Sequence, residues 1–245
     1  MHSTVRALAV SSACLLAGVG GYSEAYAALT IDTTRIVYSS DKRSVSVIIA
    51  NPSEHIYAAQ TWVNTQSDDT TTAVPFVTAP ALFRLNAGKE QTVNVSALPN
   101  NLPNDRESLF FFNLQEIPQA LPEQSNVLSV ALRTRIKVFY RPSQLTTNPV
   151  SRLKELGFSI TPVNGQPHLH VRNPTPFHYT FSRLDLKSTK QQQAVPGVDM
   201  LAPMSERSYP LPAGFPSKDL NVVLSVINDY GGSSSPLTLP VHNTP

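Results

Sequence analysis

Few residues of this sequence stand at spacings that could perform chemistry. His168 and His170 alternate along one predicted strand, so both imidazoles would lie on one face, where a metal ion could bind. Neither a carboxylate nor a third histidine is near in sequence, so an ordinary surface pair is the stronger interpretation. The adjacent Asp68 and Asp69 could do acid–base work, but their Thr-rich surroundings are typical of a solvated loop.

The motifs of the common enzyme classes are missing from the sequence. It has no nucleophile elbow, no phosphate-binding loop, no dinucleotide glycine fingerprint and no His-Glu-x-x-His. We therefore expect a protein that is not an enzyme and that uses no cofactor and no metal. The formal net charge is only +2, which does not favour a nucleic-acid partner.

The most informative segment is the stretch 126–141, which reads NVLSVALRTRIKVFYR. Leu128, Val130 and Leu132 share one side of a predicted strand, and cationic residues alternate on the other side further along. Periodicity alone favours an ordinary core strand with a basic solvent face. The functional alternative is a strand that presents its aliphatic half to a partner and binds an anion with its basic half.

The composition predicts the kind of structure that carries this segment. The chain of 245 residues has 21 prolines, only 10 glycines and 15% charged residues, which is typical of short strands and ordered loops. Successive alternating runs without helical patterns predict an all-β protein. The runs are Ser44–Ala50, Tyr57–Asn64, Thr92–Val95, Ser108–Gln115, Val127–Tyr140, His168–Val171, Tyr179–Leu186 and Leu220–Val226.

Two domains are expected, over residues 28–142 and 143–245, because Pro142 cannot donate to a sheet and a polar stretch follows it. In the first domain, we predict that Trp62 fills the core. In the second, Asn164-Gly165 predicts a two-residue type I′ hairpin turn.

Residues 1–27 have the pattern of a cleaved secretory signal peptide. Arg6 precedes an apolar run, and Ala25-Tyr26-Ala27 is a small-x-small cleavage site. Cys14, the only cysteine, lies inside this segment. We expect an exported mature chain that folds without disulfides.

The segment Leu102–Pro118 reads LPNDRESLFFFNLQEIP and closely resembles the signature of periplasmic pilus-assembly chaperones, the partners of outer-membrane ushers. Three further segments are similar to this family in order: Thr34-Arg35-Ile36-Val37, the strand ending in FYRP, and the pair RNPTP and INDYGG. The resemblance implies two immunoglobulin-like β-sandwich domains set at an angle with a cleft between them. It also implies a periplasmic chaperone that binds pilus subunits, aids their folding and delivers them to an usher.

The resemblance assigns roles to residues of this chain. Asn126, Leu128, Val130 and Leu132 would form the donor strand that completes a subunit's incomplete sandwich, a mode in which one protein adds a strand to another. Arg35 and Lys137 would bind the terminal carboxylate of the subunit.

Three further positions match a charged cluster between the domains of the family, namely Glu107, Arg141 and Asp229. An exposed aliphatic edge is prone to self-pairing, so we also expect weak self-association of the unbound protein. The alternatives are a pilus subunit or adhesive sandwich, which would normally be a single domain, and a secreted hydrolase, for which no catalytic set of residues can be assembled.

Overall fold

The computed structural model describes residues 29–69, 71–118, 131–216 and 218–243. The predicted signal peptide and the predicted donor residues Asn126, Leu128 and Val130 lie outside them. The described chain is dominated by β-strands, with a short 3-10 helix over Pro149–Glu155, so the predicted all-β class is confirmed. Within these ranges, no helix has the length and apolar character needed to cross a membrane.

The first half of the chain forms two sheets packed face to face. The order in one sheet is β1-β3-β7-β5, and in the other it is β2-β9-β8-β4-β6. Neighbouring strands are antiparallel except β2 and β9, which are parallel. The strands are β1 (Thr30–Ile31), β2 (Arg35–Ser39), β3 (Val45–Ala50), β4 (Tyr57–Asn64), β5 (Phe76–Ala79), β6 (Leu82–Leu85), β7 (Glu90–Ala97), β8 (Ser108–Pro118) and β9 (Arg133–Arg141).

Alternation along these strands builds the core of the first sandwich. Val47 and Ile49 of β3 are fully buried, as the sequence pattern predicts, and they pack in one cluster with Tyr38, Phe112 and Val138. These side chains come from both sheets, so this core is the apolar layer between them.

The second half of the chain forms another two-sheet sandwich with orders β14-β11-β10-β17 and β13-β12-β15-β16. Its separate core includes Leu169, Phe177, Leu186, Leu201 and Leu224. The strands are β10 (Gly157–Val163), β11 (Gln166–Asn173), β12 (Phe181–Lys187), β13 (Gln192–Ala194), β14 (Ser205–Pro210), β15 (Asn221–Val226), β16 (Leu237–Pro240) and β17 (His242–Asn243).

The predicted hairpin turn between β10 and β11 is confirmed. Asn164 and Gly165 both have positive φ, of 50° and 76°, as a type I′ turn requires. The two strands pair in the register that places Val163 opposite Gln166.

The prediction that Trp62 fills the core is wrong. Thr61 and Val63 take the buried positions of β4, and strand alternation therefore turns Trp62 to the other face of the sheet. There the guanidinium of Arg133 lies over the indole ring at 5.0 Å. The prediction rested on the size of the aromatic side chain. The burial of both neighbours, Thr61 and Val63, instead determines that Trp62 lies on the opposite face of the sheet.

Candidate functional site

The two predicted anchor residues lie side by side on neighbouring strands. In the parallel pairing of β2 with β9, Arg35 is directly opposite Lys137. Both side chains lie on what we call the outer face of the five-stranded sheet, the side turned away from the core and shared with Trp62, Phe111 and Arg133. The structure thus brings together two cations that are far apart in sequence.

Both cations are held in partly dehydrated surroundings. Arg35 is only 8% exposed, and burial lowers the pKa of its guanidinium, although the charges of Asp229 and Glu107 act in the opposite direction. Burial also lowers the pKa of the Lys137 ammonium; the charge of Arg35 lowers it further, and Asp199 opposes both. The ion pairs formed within the described ranges include neither Arg35 nor Lys137.

The hydrogen bonds of Arg35 are only partly satisfied. One terminal nitrogen donates to the carbonyl oxygen of Ile227 in the second sandwich at 3.0 Å. The Nε–H group is buried and has no hydrogen-bond partner among the described residues. The guanidinium lies 5.7 Å from the ring centre of Phe139. A buried donor without a partner is costly, so this arginine is held at an energetic cost.

The three residues of the predicted interdomain cluster also come together. Arg141, at the end of β9, donates its Nε–H to Glu107 Oε1 at 2.8 Å and grips Asp229 with both terminal nitrogens at 2.7 and 2.8 Å. Burial lowers the pKa of Arg141, but the hydrogen bonds and charges of Asp229 and Glu107 outweigh it, and the net pKa is raised. Asp229 belongs to the second sandwich, so this guanidinium joins the two halves of the chain.

His178 is a member of this cluster that the sequence reasoning missed. Glu107 Oε2 accepts the backbone N–H of His178 at 2.8 Å and lies 3.1 Å from its Nδ1. Because a carboxylate only accepts, Nδ1 carries the proton. The imidazole also packs against Phe139, with 5.4 Å between ring centres. The only sequence feature that could have indicated His178 is its position directly after the RNPTPF segment.

Of the predicted donor residues, Leu132 alone lies in the described chain. Its side chain is 48% exposed, and its carbonyl oxygen accepts the backbone N–H of Glu116 at 2.9 Å. Leu132 thus extends the pairing of β8 with β9 by one bond while presenting an aliphatic side chain to solvent.

The carboxylates first considered for chemistry have structural partners. Asp68 accepts hydrogen bonds from Arg133 and from Asn64, and these lower the pKa of its carboxyl. Asp69 accepts from hydroxyl and backbone groups of its own loop, among them Thr71 and Thr72.

The two histidines on β11 also have local partners. His168 Nδ1 contacts the carbonyl of Gln166, and His170 contacts Ser208 and Glu206 at 3.2 Å. Within the described ranges, no three His, Cys, Asp or Glu side chains gather to hold a metal ion.

Comparisons with known proteins match the two halves of the chain to two domains of one family. Residues 28–146 match the family described as the pili and flagellar-assembly chaperone PapD N-terminal domain, and residues 152–237 match the pili assembly chaperone PapD C-terminal domain. The chain is 35% identical over 214 residues to the chaperone protein PapD of Escherichia coli, covering 86% of this chain and 85% of that protein.

A second relative has a solved structure. The chain is 33% identical over 231 residues to the probable fimbrial chaperone YadV of Escherichia coli K12, covering 90% of this chain and 93% of the relative. The crystal structure of the YadV chaperone superposes with a TM-score of 0.73, over 87% of this chain and all of that one. The predicted architecture of two immunoglobulin-like domains at an angle is therefore confirmed, and the chain belongs to the family of chaperone–usher pilus-assembly chaperones.

Proposed function

We propose that this chain captures pilus subunits by anchoring their terminal carboxylate between Arg35 and Lys137 and by lending them the strand that includes Leu132. The observation that carries the proposal is the pair of adjacent, partly desolvated cations that form no ion pair within the described chain. Buried charges are normally paired. An unpaired couple in a cleft is the arrangement expected where a ligand supplies the negative charge.

The geometry suits one carboxylate. A terminal N–H group of Arg35 that does not bind Ile227 and the ammonium of Lys137 could each donate to a different oxygen. Such charge-assisted hydrogen bonds contribute about 1.5–3 kcal/mol each. Because a one-residue slip would turn every side chain of the incoming strand to the wrong face, a fixed carboxylate would also set the register of the subunit on the chaperone.

The remaining affinity would come from the donor strand. We propose that Asn126, Leu128, Val130 and Leu132 enter the open groove of the subunit, in the strand-addition mode already established for chaperone–pilin pairs. Each buried aliphatic side chain would contribute about 1.5–3 kcal/mol. Subunit folding would then be driven by these contacts, without a nucleotide or another cofactor.

Location and further partners follow from the same proposal. Residues 1–27 would direct export and be removed, leaving domains 28–142 and 143–245 in the periplasm, where the chaperone delivers its subunit to an outer-membrane usher. N-terminal sequencing of the periplasmic protein should start at Ala28. Unbound protein would self-associate weakly through its aliphatic edge, and sedimentation showing an ideal monomer at every concentration would contradict that part.

Co-expression with a pilus subunit from the same gene neighbourhood tests the central proposal. Wild-type chaperone should co-purify with the subunit in equal amounts, whereas the Arg35→Ala/Lys137→Ala variant should not. The matched control is Lys89→Ala/Lys190→Ala, which removes the same charge at two exposed positions and should behave as wild type. Equal recovery with all three proteins would show that the anchor assignment is wrong.

A further inference from the structure

A turn of the second domain contacts the first domain at three points near the anchor site. This turn, Ile227–Ser233, follows β15 and is closed by the hydrogen bonds from Asn228 N to Gly232 O and from Gly231 N to Asn228 O. The Asn228 side chain also accepts the backbone N–H groups of Tyr230 and Gly232. Backbone and side-chain bonds together make the turn a compact unit, so displacing one part of it displaces the rest.

The first two contact points are polar. The carbonyl of Ile227 accepts from the Arg35 guanidinium at 3.0 Å, and Asp229 holds Arg141 through two hydrogen bonds. One amine of the anchor arginine is therefore oriented by the second domain. The guanidinium is planar and rigid, so fixing one terminal nitrogen also fixes the direction of the other N–H groups.

The third contact is a close approach of Gly231 to the Thr34 side chain. This glycine has a φ of +86°, and a Cβ atom placed on it would lie only 2.5 Å from Thr34 Oγ1. Thr34 directly precedes Arg35 in the chain. A side chain at position 231 would push the turn away from the start of β2, and with it the carbonyl that holds Arg35.

We propose that Gly231 is a positioning residue for the carboxylate anchor. Its missing side chain lets the turn close on Thr34, and this closure brings the Ile227 carbonyl within hydrogen-bonding distance of Arg35. The second domain thereby sets the angle at which Arg35 meets a subunit carboxylate. This inference rests on the proposed function, since it concerns how that anchor is oriented.

The test compares two forms of one short synthetic peptide with alternating aliphatic residues, one ending in a free carboxylate and one in an amide. The ratio of their affinities measures the anchor alone. Wild-type protein should bind the acid at least about tenfold more tightly. Gly231→Ala should reduce the ratio to near one, with little change in affinity for the amide.

Two variants separate positioning from general damage. Gly197→Ala carries the same left-handed strain, since Gly197 has a φ of +65°, but its Cβ would meet nothing within 4 Å; it should keep the wild-type ratio. In Gly231→Ala/Thr34→Ala the clashing hydroxyl is gone, so the ratio should recover although the strain remains. Thermal unfolding of each variant shows which ones are folded.

A second variant of the same turn, Asp229→Asn, tests the proposal even if Gly231→Ala does not fold. Asp229→Asn weakens the grip on Arg141 and also removes a negative charge that acts on Arg35. Loss of positioning would lower the acid-to-amide ratio, whereas a purely electrostatic role would raise it. A raised ratio therefore contradicts our inference.

The peptide experiment distinguishes failure of the proposed anchor from failure of the proposed role of Gly231. A wild-type ratio of one would overturn both the anchor and the inference built on it. A wild-type preference that disappears in Arg35→Ala but survives in folded Gly231→Ala would leave the anchor standing and overturn the role of Gly231.

Discussion

Arg35 and Lys137 face each other across the parallel pair β2–β9, and each is less easily protonated than the same residue in water. The repulsion between them and the burial of both are unfavourable in the empty protein. This pair therefore opposes folding, and the carboxylate that we propose as its ligand would neutralise it, in keeping with the general finding that binding sites are not built for stability.

The first prediction follows from the unfavourable burial and repulsion of these two cations. Lys137→Met should raise the free energy of unfolding at neutral pH, by up to about 1 kcal/mol for a partly exposed group, while abolishing subunit capture. The penalty from a lowered lysine pKa is fully present below the folded pKa and vanishes above the ordinary pKa of lysine, so the gain should shrink at alkaline pH. Urea unfolding at two pH values measures this, and a less stable variant would contradict it.

The second prediction concerns the pH dependence of binding. Burial and the charge of Arg35 lower the pKa of Lys137, and the charge of Asp199 only partly opposes them, so Lys137 loses its proton at lower pH than an exposed lysine would. The preference for a peptide carboxylate over its amide should accordingly weaken before the pH reaches about 10.4, the ordinary lysine value.

Lys137→Arg is the matched variant for this titration, because a guanidinium stays charged throughout. Its acid-to-amide affinity ratio should stay level while that of wild type falls. Parallel falls in both proteins would assign the titration to another group.

The third prediction concerns the cluster that joins the domains. The side chain of Glu107 is 2% exposed and binds both Arg141 and His178. Asp229 still holds Arg141 in Glu107→Ala, so the loss comes from the Nε–H of Arg141 and the N–H of His178, each left without its acceptor at about 1–3 kcal/mol. Asp229→Ala should cost no more than about 1 kcal/mol, because the Asp229 side chain is 35% exposed. Denaturant unfolding of both variants gives the comparison, and equal losses would refute it.

The fourth prediction uses the only tryptophan of the chain. Since Trp62 lies on the outer face of its sheet, Trp62→Ala should destabilise the first domain much less than Phe112→Ala, which removes a fully buried ring at about 3–5 kcal/mol. Thermal unfolding of the two variants tests the assignment. A larger loss of stability for Trp62→Ala than for Phe112→Ala would instead indicate that the indole lies in the core.

Local features were predictable from the sequence because local rules govern them. The alternation of β3 placed Val47 and Ile49 inside, and the Asn164-Gly165 pair formed the expected turn. Trp62 shows the weakness of judging one residue by size, since the burial of Thr61 and Val63 decided which face it took.

The site was less predictable because its contacts join distant parts of the chain. No spacing rule brings Arg35 beside Lys137, and only the resemblance to the chaperone family indicated that they meet. The role of the Ile227 carbonyl has no sequence signature, because every residue carries a backbone carbonyl group. His178 was missed because its partner Glu107 lies in the other domain.

The link from Arg35 to Ile227 spans 192 residues of sequence, and this has a consequence for the export that we propose. Secretion delivers a polypeptide from its amino end, so Arg35 emerges long before the carbonyl that orients it. A partly translocated molecule would therefore lack the complete anchor that we propose, because contacts at such long separation form late in folding. On this proposal, the chaperone would bind a subunit only when nearly all of its own chain has crossed the inner membrane, and incomplete copies would not sequester subunits.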